Sequence, residues 1–200
     1  MHIEFLVEEQ SMEEALKNLL TQMLPPETTY RIINFQGKQN LLHHLPARLR
    51  GYKWITDVYR IVVMVDEDRQ NCIGLKQQLE TAAQRAGLST KTSAGGARFQ
   101  VLNRIVIEEL EAWFFGDIEA IRQAYPRLPE YLSTSRKFKD PDSIPGGTWE
   151  TLEKTMKRHG YFKGGYPKVE AARAISAHMD PYRNCSKSFQ VFRDSLTAML

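Results

Sequence analysis

The chain of 200 residues contains two cysteines, Cys72 and Cys185, neither with partners at metal-ligand spacing. That poverty argues against a disulfide framework and against a cysteine-based zinc site. No apolar run approaches the roughly 18 residues of a membrane-spanning helix, so a transmembrane segment is excluded. Gly95-Gly96 and Gly146-Gly147 lack the spacing of a P-loop or a dinucleotide fingerprint and read as flexible backbone. No Gly-x-Ser-x-Gly elbow exists, which removes Ser11 as a nucleophile. His43-His44 has no partner one helical turn away, and His159 precedes a helix-ending glycine, so all three read as surface or capping residues. The stretch MHIEFLVEEQ is acidic and reads as a strand, not as a signal peptide, and the expected compartment is the cytosol. The sequon Asn184-Cys185-Ser186 then reads as accidental.

What is present describes a folded globule. Apolar residues make up 42% and charged residues 26%, enough to build a core and too balanced for disorder. The net charge of +3 hides an asymmetry: residues 1–124 carry 14 basic and 16 acidic side chains, residues 125–200 carry 13 and 8. A basic second part reads either as solvated surface or as a face for a polyanion.

The first two thirds alternate strand and helix. Ile3, Phe5 and Val7 share one face at period two, a half-buried strand. Ser11 offers an N-cap with Glu14 completing a capping box. Met12, Ala15, Leu16, Leu19, Leu20 and Met23 then form an amphipathic face that ends at Pro25-Pro26. Residues 30–35 read as a second strand, and Leu41, Leu42, Leu45 and Leu49 as a second helix. Ile61-Val62-Val63-Met64-Val65 is uninterrupted and β-branched, the pattern of a central parallel strand buried on both faces. A helix over residues 72–86, capped by Gly87, precedes an extended segment at 99–107. That segment runs directly into Glu108-Glu109-Leu110-Glu111-Ala112-Trp113. Trp113, Phe114 and Phe115 read as core.

From Ile118 onward, helical stretches are separated by proline and glycine: Thr148 reads as a cap, Pro167 as a first helical residue, and Ser186 or Ser188 as the start of a last helix. The expected fold is α/β, a mostly parallel sheet with helices on both faces. Residues 1–124 would form that core, and residues 125–200 a helical extension packed on it.

The chemistry follows from where the acids fall. Ligands of open α/β sheets gather outside the carboxyl ends of the strands. Glu8 and Glu9 end the first strand, Asp66 and Asp68 the buried one, and Glu108, Glu109 and Glu111 the last. If these strands are parallel neighbours, three acidic clusters meet at one edge. Carboxylates at close quarters repel and raise one another's proton affinity. A hard divalent cation such as Mg²⁺ removes that conflict and recruits substrate phosphate oxygens. The competing reading is stabilisation of helix dipoles, which explains Glu13 and Glu14 and extends to Glu108 and Glu109. Lys163, Lys168 and Arg173 could face phosphate, with Lys168 in the first turn of its helix.

The strand Phe5-Leu6-Val7-Glu8 and the run Val63-Met64-Val65-Asp66-Glu67-Asp68 resemble the TOPRIM domain, the metal-binding module of topoisomerases, bacterial primases and OLD-family nucleases. Over essentially its whole length the chain looks like a bacterial family of TOPRIM-like proteins. The segments that carry this are FLVEE-x-SMEEAL, YRIINFQGK, IVVMVDEDR, NRIVIEELEAWFFGD, DPDSIPGGTWE and SKSFQVFRDSL. The resemblance implies a compact parallel sheet and a Mg²⁺ or Mn²⁺ site on Glu8, Asp66 and Asp68. Glu111, in a Glu-x-Trp element, would be a further ligand, and Glu109 an alternative to it. TOPRIM usually has glycine after its glutamate, whereas Glu9 stands here, which affects how closely backbone approaches phosphate. The leading expectation is nuclease-like phosphoryl transfer on DNA or RNA; Lys168, from its place in the first turn of its helix, is the candidate for steadying developing negative charge. Relatives sit beside OLD- or AAA-type ATPases in phage-defence cassettes, which makes such an ATPase, as well as nucleic acid, an expected partner. Two rivals remain at this level. One is a non-catalytic regulatory subunit of that ATPase. The other is a nucleic-acid-binding module over residues 133–193, where 12 basic residues face 6 acidic ones. Oligomeric state leaves no signature in the sequence.

Overall fold

A computed structural model describes residues 1–52, 54–68 and 71–200. Four strands, β1 (His2–Val7), β2 (Thr29–Asn34), β3 (Tyr59–Asp66) and β4 (Val101–Val106), form one sheet in the order β2-β1-β3-β4. Every pairing is parallel, with Phe5 opposite Ile32 and Val62, and Val62 opposite Leu102. The apolar run read as a central strand is central, and its residues 61–65 are buried on both faces.

Parallel neighbours need crossovers, and these are helical: α1 (Gln10–Met23), α2 (Lys38–Arg50) and α3 (Cys72–Arg85). Period-two alternation sends Ile3, Phe5, Val7, Val62 and Met64 into one core with the Leu16, Leu19 and Leu20 stripe of α1. Leu6, Ile61, Val63 and Val65 point the other way, onto Leu41, Leu45 and Leu49 of α2 and Leu75 and Leu79 of α3. The expected α/β architecture, with helices on both faces, is therefore the observed one.

The remaining helices are α4 (Leu110–Phe115), α5 (Ile118–Ala124), α6 (Thr148–Arg158), α7 (Lys168–Ser176) and α8 (Lys187–Thr197). They join the α1 side, where Leu152, Met156, Ile175, Phe189 and Phe192 enter the same buried cluster as β1 and α1. Trp113 is core, stacked on Phe192 at 5.2 Å. Burial of this size, about 25 cal/mol for each Å² of apolar surface, drives the docking of these helices onto the sheet.

Several caps differ from the sequence reading. Ser11 lies inside α1, which starts at Gln10, and its hydroxyl donates to Glu9 Oε1. Glu14 closes no capping box, because Arg173 of α7 and Lys17 take its carboxylate at 2.6 and 2.7 Å. Thr148 opens α6 and donates its hydroxyl to Glu109 Oε2 at 3.0 Å, leaving Gly147 at the cap position with φ 92°. Pro167 precedes α7 and lies one residue outside it. Ser186 does cap α8, accepting from Phe189 N at 3.1 Å. Asn184 of the sequon is buried and donates to Trp113 O at 2.7 Å, so its amide is committed to the fold.

Candidate metal centre

In the order β2-β1-β3-β4, the connection leaving β1 runs to one side of the sheet and that leaving β3 runs to the other. The ends of β1 and β3 therefore flank the crevice where such sheets bind ligands. Glu8 and Asp66 sit at those two ends, and the residues after β4 close the far side.

The backbone of the edge is fixed by hydrogen bonds between turns. Gly37 N donates to Glu8 O at 2.7 Å, and Glu67 N donates to Val106 O at 2.9 Å. Asp68 and Glu108 both adopt left-handed backbone, with φ 51° and 58°. For residues with a side chain that conformation costs on the order of 1 kcal/mol. Two bonds hold the pair in place: Asp68 N to Glu108 O at 3.2 Å, and Glu108 N to Glu67 Oε2 at 3.1 Å. The turn carrying the Asp-x-Asp pair is thus locked to the turn carrying the glutamates.

The carboxylates themselves fall into two groups. Asp66 is 6% exposed and its Oδ1 is buried without a hydrogen-bond partner. Its backbone N donates to Glu8 Oε2 at 3.3 Å. Burial, with the charges of Glu8, Glu9, Glu111 and Asp68 added, pushes the Asp66 carboxyl well above its ordinary range. Burial also raises Glu8 to about 7, with Lys38 opposing and Asp68 reinforcing the rise. Glu111, 2% exposed, is likewise lifted by burial to about 7, against the pull of Lys168 and a hydrogen bond from Tyr166.

The second group is engaged with the protein. Asp68 accepts an ion pair from Lys38 Nζ at 2.7 Å, and the same nitrogen reaches Glu67 O at 3.3 Å. Glu109 accepts from Thr148 and from Trp149 N at 3.3 Å, and burial still raises its carboxyl. Tyr166 OH donates to Glu111 Oε1 at 2.7 Å, and Lys168 Nζ stands 3.7 Å from Glu9 Oε1. Burial lowers the proton affinity of Lys168, but Glu111, Glu9, Glu109 and Asp66 together outweigh it and raise it.

Of the residues read from sequence as site candidates, Glu8, Asp66, Asp68, Glu109, Glu111 and Lys168 lie at this edge. As they stand, no three His, Cys, Asp or Glu side chains among the described residues close on one point. Asp68, Glu109 and Glu111 point to their protein partners. Three participants escaped the sequence reading of the site. Lys38 follows Gly37 in the first turn of α2, where the helix dipole disfavours a cation. That misfit was a usable signal. Tyr166, between Gly165 and Pro167, has none, and Glu9 is read from sequence as part of the first acidic cluster but is assigned no role there. Lys163 is exposed, and Arg173 is committed to Glu14.

The donors are all hard carboxylate oxygens, the set that suits Mg²⁺ or Mn²⁺ and does not suit a soft metal. The buried Asp66 oxygen without a partner, in the field of four other acids, is a donor of that kind.

No curated protein matches the chain. Among solved structures it is similar to the C-terminal region of the OLD protein of Xanthomonas campestris pv. campestris. The two are 14% identical with a TM-score of 0.48, over 98% of this chain and 95% of that one. A family model described as Domain of unknown function (DUF4276) matches residues 7–197, nearly the full length, and the chain belongs to that family.

Proposed function

We propose that this edge is a Mg²⁺- or Mn²⁺-dependent phosphoryl-transfer centre of TOPRIM type, acting as a nuclease on nucleic acid. The observation that carries the reading is the Asp66 carboxylate. It is buried at the switch point of the sheet with an unpartnered oxygen, among four acids that raise its proton affinity. Glu8, Asp66 and Asp68 would hold the ion, with Glu111 or Glu109 completing the set. A divalent cation there supplies charge neutralisation and Lewis acidity toward a phosphoryl oxygen.

The chain's own groups supply the rest. Glu111, titrating near neutrality, can take a proton from an attacking water and release it again at physiological pH. Tyr166 orients that carboxylate through its hydroxyl. Lys168, in the first turn of α7, brings a fixed positive charge to the crevice and would steady negative charge on phosphate oxygens. Lys38 holds Asp68 until an ion competes for it.

The test incubates purified protein with plasmid, linear DNA and RNA in Mn²⁺. Wild type is expected to cut at least one of them. Asp66→Ala, folded by circular dichroism, should lose about 10³-fold in rate, the scale of removing a central electrostatic group. Equal cutting by wild type and variant, or no cutting together with no saturable heat on Mn²⁺ titration, contradicts the proposal.

A further inference from the structure

The opposite end of the sheet carries the reverse electrostatic situation. A cavity of about 510 Å³ lies where the strands begin, lined among others by Arg60 at the start of β3 and by Arg98 and Phe99 just before β4. Arg60 is 6% exposed, although arginine is rarely buried without an anion. Its Nη1 donates to Tyr59 O at 2.9 Å, while its Nε is buried with no partner among the described residues. Arg98 is exposed and forms no ion pair among them. Asp57 and Glu27 also line the cavity, and both are exposed. Among the described residues neither forms an ion pair with either arginine, and Asp57 acts on Arg60 only at longer range, so the buried charge has no direct carboxylate partner there.

Buried acids can escape such a situation by taking a proton, but a guanidinium cannot shed one. Burial and the neighbouring Arg98 do pull the Arg60 proton affinity down, with Asp57 opposing, yet an arginine stays charged at any physiological pH. The remaining solution is an external anion. Guanidinium groups recognise phosphate in a planar, two-pronged fashion, and the cavity has room for more than a bare ion.

We propose that Arg60 and Arg98 form a phosphate-binding pocket at the amino edge of the sheet, separate from the acidic edge. Its ligand is a phosphate group, free or carried by a nucleoside monophosphate, with Phe99 and Val58 supplying apolar wall for the nucleoside. Arg60 and Asp66 stand six residues apart on β3, which sets the pocket and the acidic centre about 20 Å apart. The pocket therefore does not depend on the nuclease reading.

Calorimetry and thermal unfolding of the full chain test this, in chloride buffer with a chelator, against inorganic phosphate and adenosine 5′-monophosphate. Wild type and Asp66→Ala should bind alike, with a saturable rise in Tm. Arg98→Ala, at an exposed position that leaves the core untouched, should weaken binding about tenfold or more. Arg60→Met, if folded, should abolish it. Tighter binding of the nucleotide assigns the nucleoside wall, and equal binding assigns a simple phosphate site. No saturable binding to either probe, or the same affinity in Arg98→Ala as in wild type, overturns the pocket.

Discussion

Two glutamates four residues apart, Glu4 within β1 and Glu8 directly after it, meet opposite fates. Glu4 is 5% exposed and accepts hydrogen bonds from Tyr52, from Tyr59 at 2.7 Å and from Arg48 at 3.0 Å. Burial pushes its carboxyl up, but those three donors outweigh it and hold it below the ordinary range. Among the described residues the Glu8 carboxylate accepts one hydrogen bond, from a backbone N–H at 3.3 Å, and burial raises it to about 7. Asp117 repeats the first pattern, buried and gripped by Arg183 at 2.8 and 2.9 Å and by two backbone N–H groups. The chain thus satisfies buried acids where they serve the fold, and leaves Asp66 and Glu8 short of positive charge at one edge. That shortage, at the crevice where such sheets bind ligands, supports the proposed cation site.

The contrast yields opposite signs on mutation. Glu4→Gln removes a satisfied buried charge and should lower stability by about 3 kcal/mol, a fall of about 10 °C in Tm for a domain this size. Glu111→Gln removes a buried charge that burial disfavours, while keeping an oxygen for Tyr166. With metal absent it should raise stability at pH 8 by about 2 kcal/mol. Thermal unfolding in chelator reads both, and a stabilising Glu4→Gln or a destabilising Glu111→Gln breaks the comparison.

The same contrast sets a pH dependence. Glu8 and Glu111 titrate near 7 in the folded protein and near 4.5 in the unfolded chain. Between those values the folded state holds more protons, so stability without metal falls as pH rises through that window and is lowest above it. Glu111→Gln should flatten the curve, and Mn²⁺ should restore stability on the alkaline side. A Tm that rises from pH 5 to pH 8 in chelator contradicts the account.

A smaller effect is expected at Lys168. Lys168→Met removes a charge that opposes the rise at Glu111, so the acid limb of the pH–rate profile should move to higher pH and the cleavage rate fall about tenfold. An unchanged profile would place Lys168 outside the centre.

Sequence patterns revealed the strands and the acids because both are local. Period two marks Ile3, Phe5 and Val7, an unbroken apolar run marks β3, and an acid directly after a strand needs only its position. Parallel pairing then placed Glu8, Asp66 and the glutamates after β4 at one edge. Side-chain partners were not legible, because they arrive from elsewhere in the chain. Thr148 looks like a cap in sequence, but the carboxylate of Glu109, brought near by folding, claims its hydroxyl, while Ser11 gives its own to the neighbouring Glu9. Lys38 meets Asp68 across 30 positions, and Tyr166 meets Glu111 across 55. Arg60 was hidden for the same reason: within an apolar strand it reads as a boundary residue, and only the fold reveals that its charge is enclosed.

The most direct measurement is a calorimetric Mn²⁺ titration at pH 7 in two buffers of different ionisation enthalpy, which counts protons displaced by the ion. Wild type should bind saturably and release about one proton or more per ion, drawn from Glu8, Asp66 and Glu111, and Asp66→Asn should lose both the binding and the release. Saturable binding without proton release, or heat that survives unchanged in Asp66→Asn, would contradict a cation seated among these acids.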